Sequence, residues 1–210
     1  MVPGGKVAIR GINLMKHENL LGGALAFTRV KLLVIDPEEM TATKKRITDI
    51  LRGIKGFVSL AFYEDVDAPA HFCSFAHYET FDALKEAYNA LDHAKLYDAV
   101  RNNFSDPPEM LWFNLVEGQG GGFEDIKLGE FCSISVRTAA PGFSGDLLEE
   151  MQDIFQNLEA IPGFRGSVIA LNHEVAEQTM GICFWGDKDS FSSSMPKRPL
   201  YDVRLYQRML

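Results

Sequence analysis

The sequence predicts an α+β fold in which a β-α-β-β-α-β unit is built twice, with the two antiparallel sheets packed against each other as one body. Two similar corners, Ile54-Lys55-Gly56-Phe57 and Ile161-Pro162-Gly163-Phe164, lie 107 residues apart in a chain of 210. Each ends an amphipathic run and opens a strand-like one, the mark of an internal repeat. In the first copy, Val58, Leu60, Phe62, Phe75, Leu111 and Phe113 put apolar side chains on both faces of the strands. Helices on one face would leave the other uncovered, and a second sheet would cover it.

Residues 1–26 read as an N-terminal extension, with Val7 to Leu14 as a candidate strand. Phe27 to Ile35 follows as the first strand, rich in β-branched residues. Asp36-Pro37-Glu38-Glu39 starts a helix: Asp36 accepts from free amides, Pro37 tolerates the first position, and the glutamates suit the positive helix end. Met40, Ile47, Ile50, Leu51 and Ile54 recur at helical spacing, and Lys44, Lys45, Arg46 and Asp49 are assigned to the solvent face. Phe57 to Glu64 and His71 to Tyr78 form a hairpin. Thr80 to Leu91 is helical and continues over His93 to Phe104 until Pro107-Pro108 ends it. Met110 to Val116 is the fourth strand. Gly118 to Gly122 reads as a linker; it lacks the Lys-Ser/Thr of a phosphate loop.

The second pass has a strand at Phe131 to Arg137, a helix at Ser144 to Leu158, and a hairpin of Phe164 to Leu171 with Thr179 to Trp185. A short helix at Asp189 to Met195 and a strand at Tyr201 to Tyr206 complete it. The organisation expected is therefore an extension (1–26), a first repeat (27–117), a Gly-rich linker (118–126) and a second repeat (127–210). Leu51 pairs with Leu158 at an offset of 107. At an offset of 110, Cys73 pairs with Cys183, Phe75 with Trp185 and Phe81 with Phe191, which places a three-residue drift in the hairpin turn.

A net charge of −8 argues against nucleic-acid binding and against an anionic membrane surface. No apolar run approaches the roughly 20 residues of a spanning helix, and Met1 to Leu14 lacks a signal-peptide core. Three cysteines without a C-x-x-C spacing point to a reduced, cytoplasmic protein.

A helix, then Ile-x-Gly-Phe, then a hairpin, then a helix opening near Phe81, resembles the dimeric α/β barrel superfamily, and within it the antibiotic-biosynthesis-monooxygenase-like domain. Each half resembles one such domain. The resemblance implies two ferredoxin-like (βαββαβ) units closed into one pseudo-dimeric α/β barrel. It also implies a monooxygenase-like enzyme that needs no cofactor and oxidises a small apolar or aromatic compound. The family includes haem-degrading oxygenases, whose helix carries Glu-Ala-His. Here the stretch is Glu86-Ala87-Tyr88, so haem is the weaker alternative, with Tyr88 as its conceivable ligand. A non-catalytic ligand-binding or assembly module is the other alternative, and pairing of two such chains into a homodimer is left open.

His71, Cys73, Phe75 and His77 share one face of the third strand because side chains alternate. His77 is the candidate base, histidine being suited to proton transfer near neutral pH, with Tyr63 as its catalytic companion. His71, Cys73, Phe75, Tyr88, Trp112, Asn114 and Trp185 are candidate substrate contacts; no metal cluster is expected. A cavity between the sheets reached by His77 or Tyr63 would favour an enzyme, and a filled interior a structural role.

Overall fold

A computed structural model describes residues 23–33, 36–96, 101–197 and 201–209. Most of the expected extension, and residues 97–100 of the expected helix continuation, lie outside them. The first unit consists of β1 (Ala24–Lys31), α1 (Pro37–Leu51), β2 (Phe57–Asp65), β3 (His71–Tyr78), α2 (Phe81–His93) and β4 (Glu109–Gly120). The second consists of β5 (Phe131–Thr138), α3 (Ser144–Leu158), β6 (Phe164–Asn172), β7 (Gln178–Trp185), α4 (Lys188–Ser194) and β8 (Arg204–Met209). All eight strands join in one closed barrel of order β1-β3-β2-β8-β5-β7-β6-β4.

Two antiparallel seams stitch the halves together. Phe62 to Asp65 of β2 pairs with Tyr206 to Met209 of β8, and Phe113 to Gly120 of β4 pairs with Gly166 to Asn172 of β6. Closure removes every free sheet edge. The pairing that two separate chains would make is here made within one.

The predicted corner is built the same way in both halves. Gly56 and Gly163 have φ of +85° and +84°, the left-handed region glycine adopts without cost. Their carbonyls accept from the amides of Glu79 at 2.7 Å and Gly186 at 2.8 Å. Asp36 caps α1 as expected, accepting from the amides of Glu38 and Glu39 at 2.9 and 3.1 Å.

Three expectations need correction. The first strand begins at Ala24 and ends at Lys31, because its apolar residues pair between β3 and β4 from Ala24 onward. Gly118 to Gly120 is not a free linker but the end of β4. Gly120 serves close approach: a Cβ there would lie 2.4 Å from the Arg165 carbonyl oxygen and 2.7 Å from Gly166 Cα. The chain between β4 and β5 then sends Phe123 and Ile126 into the barrel.

The third correction concerns the repeat. Leu25 stands opposite His77 and Cys132 opposite Phe184, so the offset stays at 107 through the hairpin. Cys73 and Phe75 face the barrel interior, whereas Cys183 and Trp185 face the helices of the second half. They are not counterparts, because a shift of three residues turns a strand's side chain to the other face. The drift falls later. Leu25 also stands opposite Phe113, and Cys132 opposite Tyr206, an offset of 93. The second half has lost its length between the short helix α4 and β8.

The interior is filled, the outcome expected of a structural role rather than of a site between the sheets. Leu25, Phe27, Tyr63, Phe75 and Phe113 from the first half meet Ile134, Met180, Ile182, Phe184 and Tyr206 from the second. Phe75 stacks on Phe27 and packs against Phe123, with ring centroids 5.0 and 5.2 Å apart.

Candidate functional site

The open space lies on the opposite side of the sheet. Between the first-half sheet and its helices is a cavity of about 520 Å³. Its floor is formed by outward-facing residues of β1, β2, β3 and β4: Ala26, Thr28, Leu60, Phe62, Ser74, Ala76, Tyr78 and Trp112. Met40, Lys44, Ile47 and Leu51 of α1 and Leu84, Tyr88 and Leu91 of α2 form its roof. Strand alternation and helical spacing together produce this wall. Small residues on the floor leave the volume that larger ones would occupy. The carboxylates of Asp36, Glu39 and Asp92 also line it, from exposed positions.

One end is aromatic. Phe81 lies parallel to His173 at 3.5 Å, and Trp112 meets Phe81 and Tyr88 edge-on at 5.8 and 5.5 Å. His173 belongs to the β6–β7 turn of the other half, and its Nδ1 lies 3.3 Å from the Asn114 side-chain amide nitrogen. The second unit thus supports the first unit's aromatic wall.

The same space in the second half is nearly closed. A residue of about 50 Å³ remains between its sheet and α3. Met151, Phe155 and Trp185 are buried there, and the Trp185 indole donates to the Ser133 hydroxyl at 2.9 Å.

The sequence-predicted residues therefore separate into groups. Tyr88 and Trp112 line the cavity. Cys73 also borders it, but its side chain belongs to the barrel core; burial pushes its thiol well above the usual range, so it is not a nucleophile at neutral pH. His77 and Tyr63 do not reach a cavity between the sheets, since the barrel interior there is packed with Phe75, Phe123 and Phe184. Burial draws the His77 imidazole down to about 4, which leaves it neutral and poorly basic. Burial likewise raises the Tyr63 phenol well above its ordinary value, against a smaller opposing pull from Arg208.

Phe75 is a core residue beside them. His71 sits at the strand end, its Nδ1 3.2 Å from the Ala68 carbonyl oxygen. Asn114 lies on the outer face of β4, turned toward His173 rather than into the barrel. Trp185 fills the second half.

Lys44 was missed. Its charge assigns it to the solvent face of α1, yet it is only 9% exposed and lines the cavity. The signal was its spacing: Met40, Lys44, Ile47 and Leu51 fall on one helical stripe. Its Nζ lies 5.2 Å above the Phe62 ring and 3.9 Å from the Met209 sulfur. Burial lowers its pKa, against a smaller opposing effect of Glu64.

No histidine is among the lining's described residues, and burial holds the proton on the Tyr78 phenol; Tyr88, the haem ligand the resemblance allows, stands in the wall and is 42% exposed. Asp36, Glu39 and Asp92 would oppose the two propionates. Among the described residues no group of three metal-ligating side chains occurs, and no helix is long and apolar enough to cross a membrane.

The sequence matches no protein-family model and no curated protein. Solved structures do match. A protein provisionally assigned as a monooxygenase from Fusobacterium nucleatum superposes with a TM-score of 0.70 at 8% identity, over 90% of this chain and 93% of that one. An anthrone oxidase-like protein gives 0.67 at 15% identity, over 90% and 92%. A protein from Lactobacillus acidophilus, also provisionally assigned as a monooxygenase, gives 0.65 at 9% identity, over 89% and 94%. Likeness at such identities speaks for architecture. The chain shares the fold of these proteins, a closed α/β barrel of two ferredoxin-like units carried on one polypeptide.

Proposed function

We propose that the first-half cavity receives a small apolar or aromatic compound and that the chain is a monooxygenase-like enzyme oxidising it there. The carrying observation is the asymmetry: about 520 Å³ is kept open in one half and closed to about 50 Å³ in the other. A cavity of that size, largely apolar with few polar groups, suits a ligand of two or three fused rings. An open cavity also forgoes the packing that the second half enjoys, which argues for a use.

Such a compound can be oxidised without a protein cofactor. A methylene activated by neighbouring aryl and carbonyl groups supplies four electrons to dioxygen. One oxygen atom becomes the new carbonyl, the other leaves as water, and both methylene hydrogens go into that water. The protein must bind the substrate, ionise it and keep bulk water away. The three free, buried cysteines fit a reducing, cytoplasmic setting.

Anthrone, suggested by one structural neighbour, is the first substrate to test. Ligand entry should quench Trp112, read against a Trp112→Phe variant that retains Trp185, and oxygen uptake should follow at one O₂ per ketone formed. Quenching without oxygen uptake across a panel of anthrones, phenols and quinols would leave a binding module. The absence of both would remove the reading.

A further inference from the structure

We propose that Lys44 is the proton acceptor of the first-half cavity, selecting ligands with a weakly acidic O–H, a phenol or an enol, and holding the resulting oxyanion as an ion pair. This rests on the cavity being a ligand site and adds the residue that would recognise the ligand and the chemistry it would recognise.

The placement comes first. Lys44 is 91% buried by surface area, being 9% exposed, and it stands on the cavity-facing stripe of α1 beside Met40 and Ile47. Its amine sits over Phe62, itself a lining residue. Among the described residues its one polar contact is the weakly accepting Met209 sulfur at 3.9 Å. No carboxylate lies within ion-pair distance of it among the described residues. An ammonium so placed is poorly compensated, and burial lowers its pKa, against a smaller opposing effect of Glu64.

The repeat supplies a second, independent observation. At the offset of 107 the counterpart of Lys44 is Met151, fully buried. A hydrophobic side chain of similar length serves the fold at this position, so the fold does not require the amine. Where the space is closed the residue is methionine; where it is open the residue is lysine.

The charged surroundings select the form in which a ligand arrives. Asp36 and Glu39 of α1 and Asp92 of α2 line the same cavity, and Glu64 of β2 acts on the amine from farther off. Cys73 and Tyr78 of β3 and Tyr88 of α2 are the other titratable groups among the described lining residues, and on β8 the neighbour is Met209. Carboxylates at the exposed positions repel a ligand that is already an anion. A neutral phenol or enol passes them. Its O–H proton then moves to the Lys44 nitrogen, the O–H bond breaking as an N–H bond forms, and the oxyanion and ammonium neutralise each other. Removing that proton makes the ring electron-rich, the state from which electrons leave for dioxygen.

The test uses two probes of nearly equal shape, 4-nitrophenol and its methyl ether 4-nitroanisole, with the full chain. The bound phenol is titrated by its visible phenolate absorption. We expect its apparent pKa to fall on binding by about one unit, a tenfold shift in the ionisation constant. In Lys44→Met, and in Lys44→Gln, which leaves the methionine out, the shift disappears; 4-nitroanisole is titrated into the same variants to show that the cavity still takes a ligand. Binding of both probes to wild type with no change in the phenol's pKa overturns the proposal and leaves the cavity reading standing. So does a shift that survives in Lys44→Met. Failure of 4-nitroanisole and 4-nitrophenol alike to bind wild type overturns the cavity reading, and the role of Lys44 with it.

Discussion

The two halves share a backbone plan and differ in what lies between sheet and helices. The pairs at offset 107 show how. Thr48 stands where Phe155 does, Lys44 where Met151 does, Ser74 where Gly181 does, and Tyr78 where Trp185 does. In the second half, Met151 and Phe155 reach into the place a side chain on Gly181 would take: a Cβ there would lie 2.5 Å from Met151 Cε and 2.7 Å from Phe155 Cζ. In the first half, Thr48 carries no ring and turns its hydroxyl back to the Lys44 carbonyl at 2.8 Å. A few side-chain volumes, together with the longer α2 and the stretch after it that the second half lacks, decide between a packed core and a cavity.

The largest effect should come from reopening the second half. Phe155→Ala removes the ring that closes it and should cost about 3–5 kcal/mol, the range for large-to-small changes in a core. Urea unfolding would read this as a lower midpoint at unchanged slope. The comparison sharpens further if 4-nitroanisole then binds with a stoichiometry of two per chain rather than one. A cost well under about 1 kcal/mol would mean that Phe155 does not hold the second half shut.

The barrel interior offers the next contrast. His77 of the first half faces inward where the second half has Phe184. Burial draws its pKa down to about 4, from the ordinary 6.5. A depressed histidine contributes stability that is fully present above about pH 6.5. That contribution is lost as pH falls toward 4, because the unfolded chain takes the proton first. The loss should approach roughly 3 kcal/mol over that window. His77→Phe, copying the other half, should flatten this part of the stability–pH curve. An unchanged acid slope in that variant would assign the acid sensitivity elsewhere.

How much of this was legible in the sequence depended on periodicity. The Gly-Phe corners, the hairpins and the two first helices stand on repeating patterns of two and 3.6 residues, and they fold as those patterns require. The side of the sheet on which a pocket would form was not legible. Both faces of β2 and β3 are apolar, and only the packed volumes show that one face is filled. His77 and Tyr63 drew attention as the chemically versatile residues of the hairpin, but versatility in solution is removed by the burial that alternation gave them. Lys44 was hidden by the opposite error, a charged residue read as a solvated one although its helical position was apolar. The misplaced repeat offset came from matching residue types, Cys73 with Cys183 and Phe75 with Trp185. Facing direction is the stricter criterion, because pairing leaves a strand no freedom to slip by an odd number.

The smallest change tests whether the closed half is closed by fit or merely by bulk. Gly181→Ser gives β7 the residue that β3 carries at Ser74. The new Cβ must displace Met151 Cε, the end of a flexible chain, and the tip of the Phe155 ring, which is stiffer. Overpacking of this kind costs about 1–3 kcal/mol. The lower end is expected if Met151 can swing into the remaining 50 Å³, which its three rotatable bonds permit. Combining Gly181→Ser with Phe155→Ala separates the two terms. If the serine's cost comes from the ring, the pair should be less destabilised than the sum of the singles, a coupling that a double-mutant cycle in urea would measure. Strict additivity would place the strain on Met151 alone, and the second half would then be held shut by the methionine that stands in for Lys44.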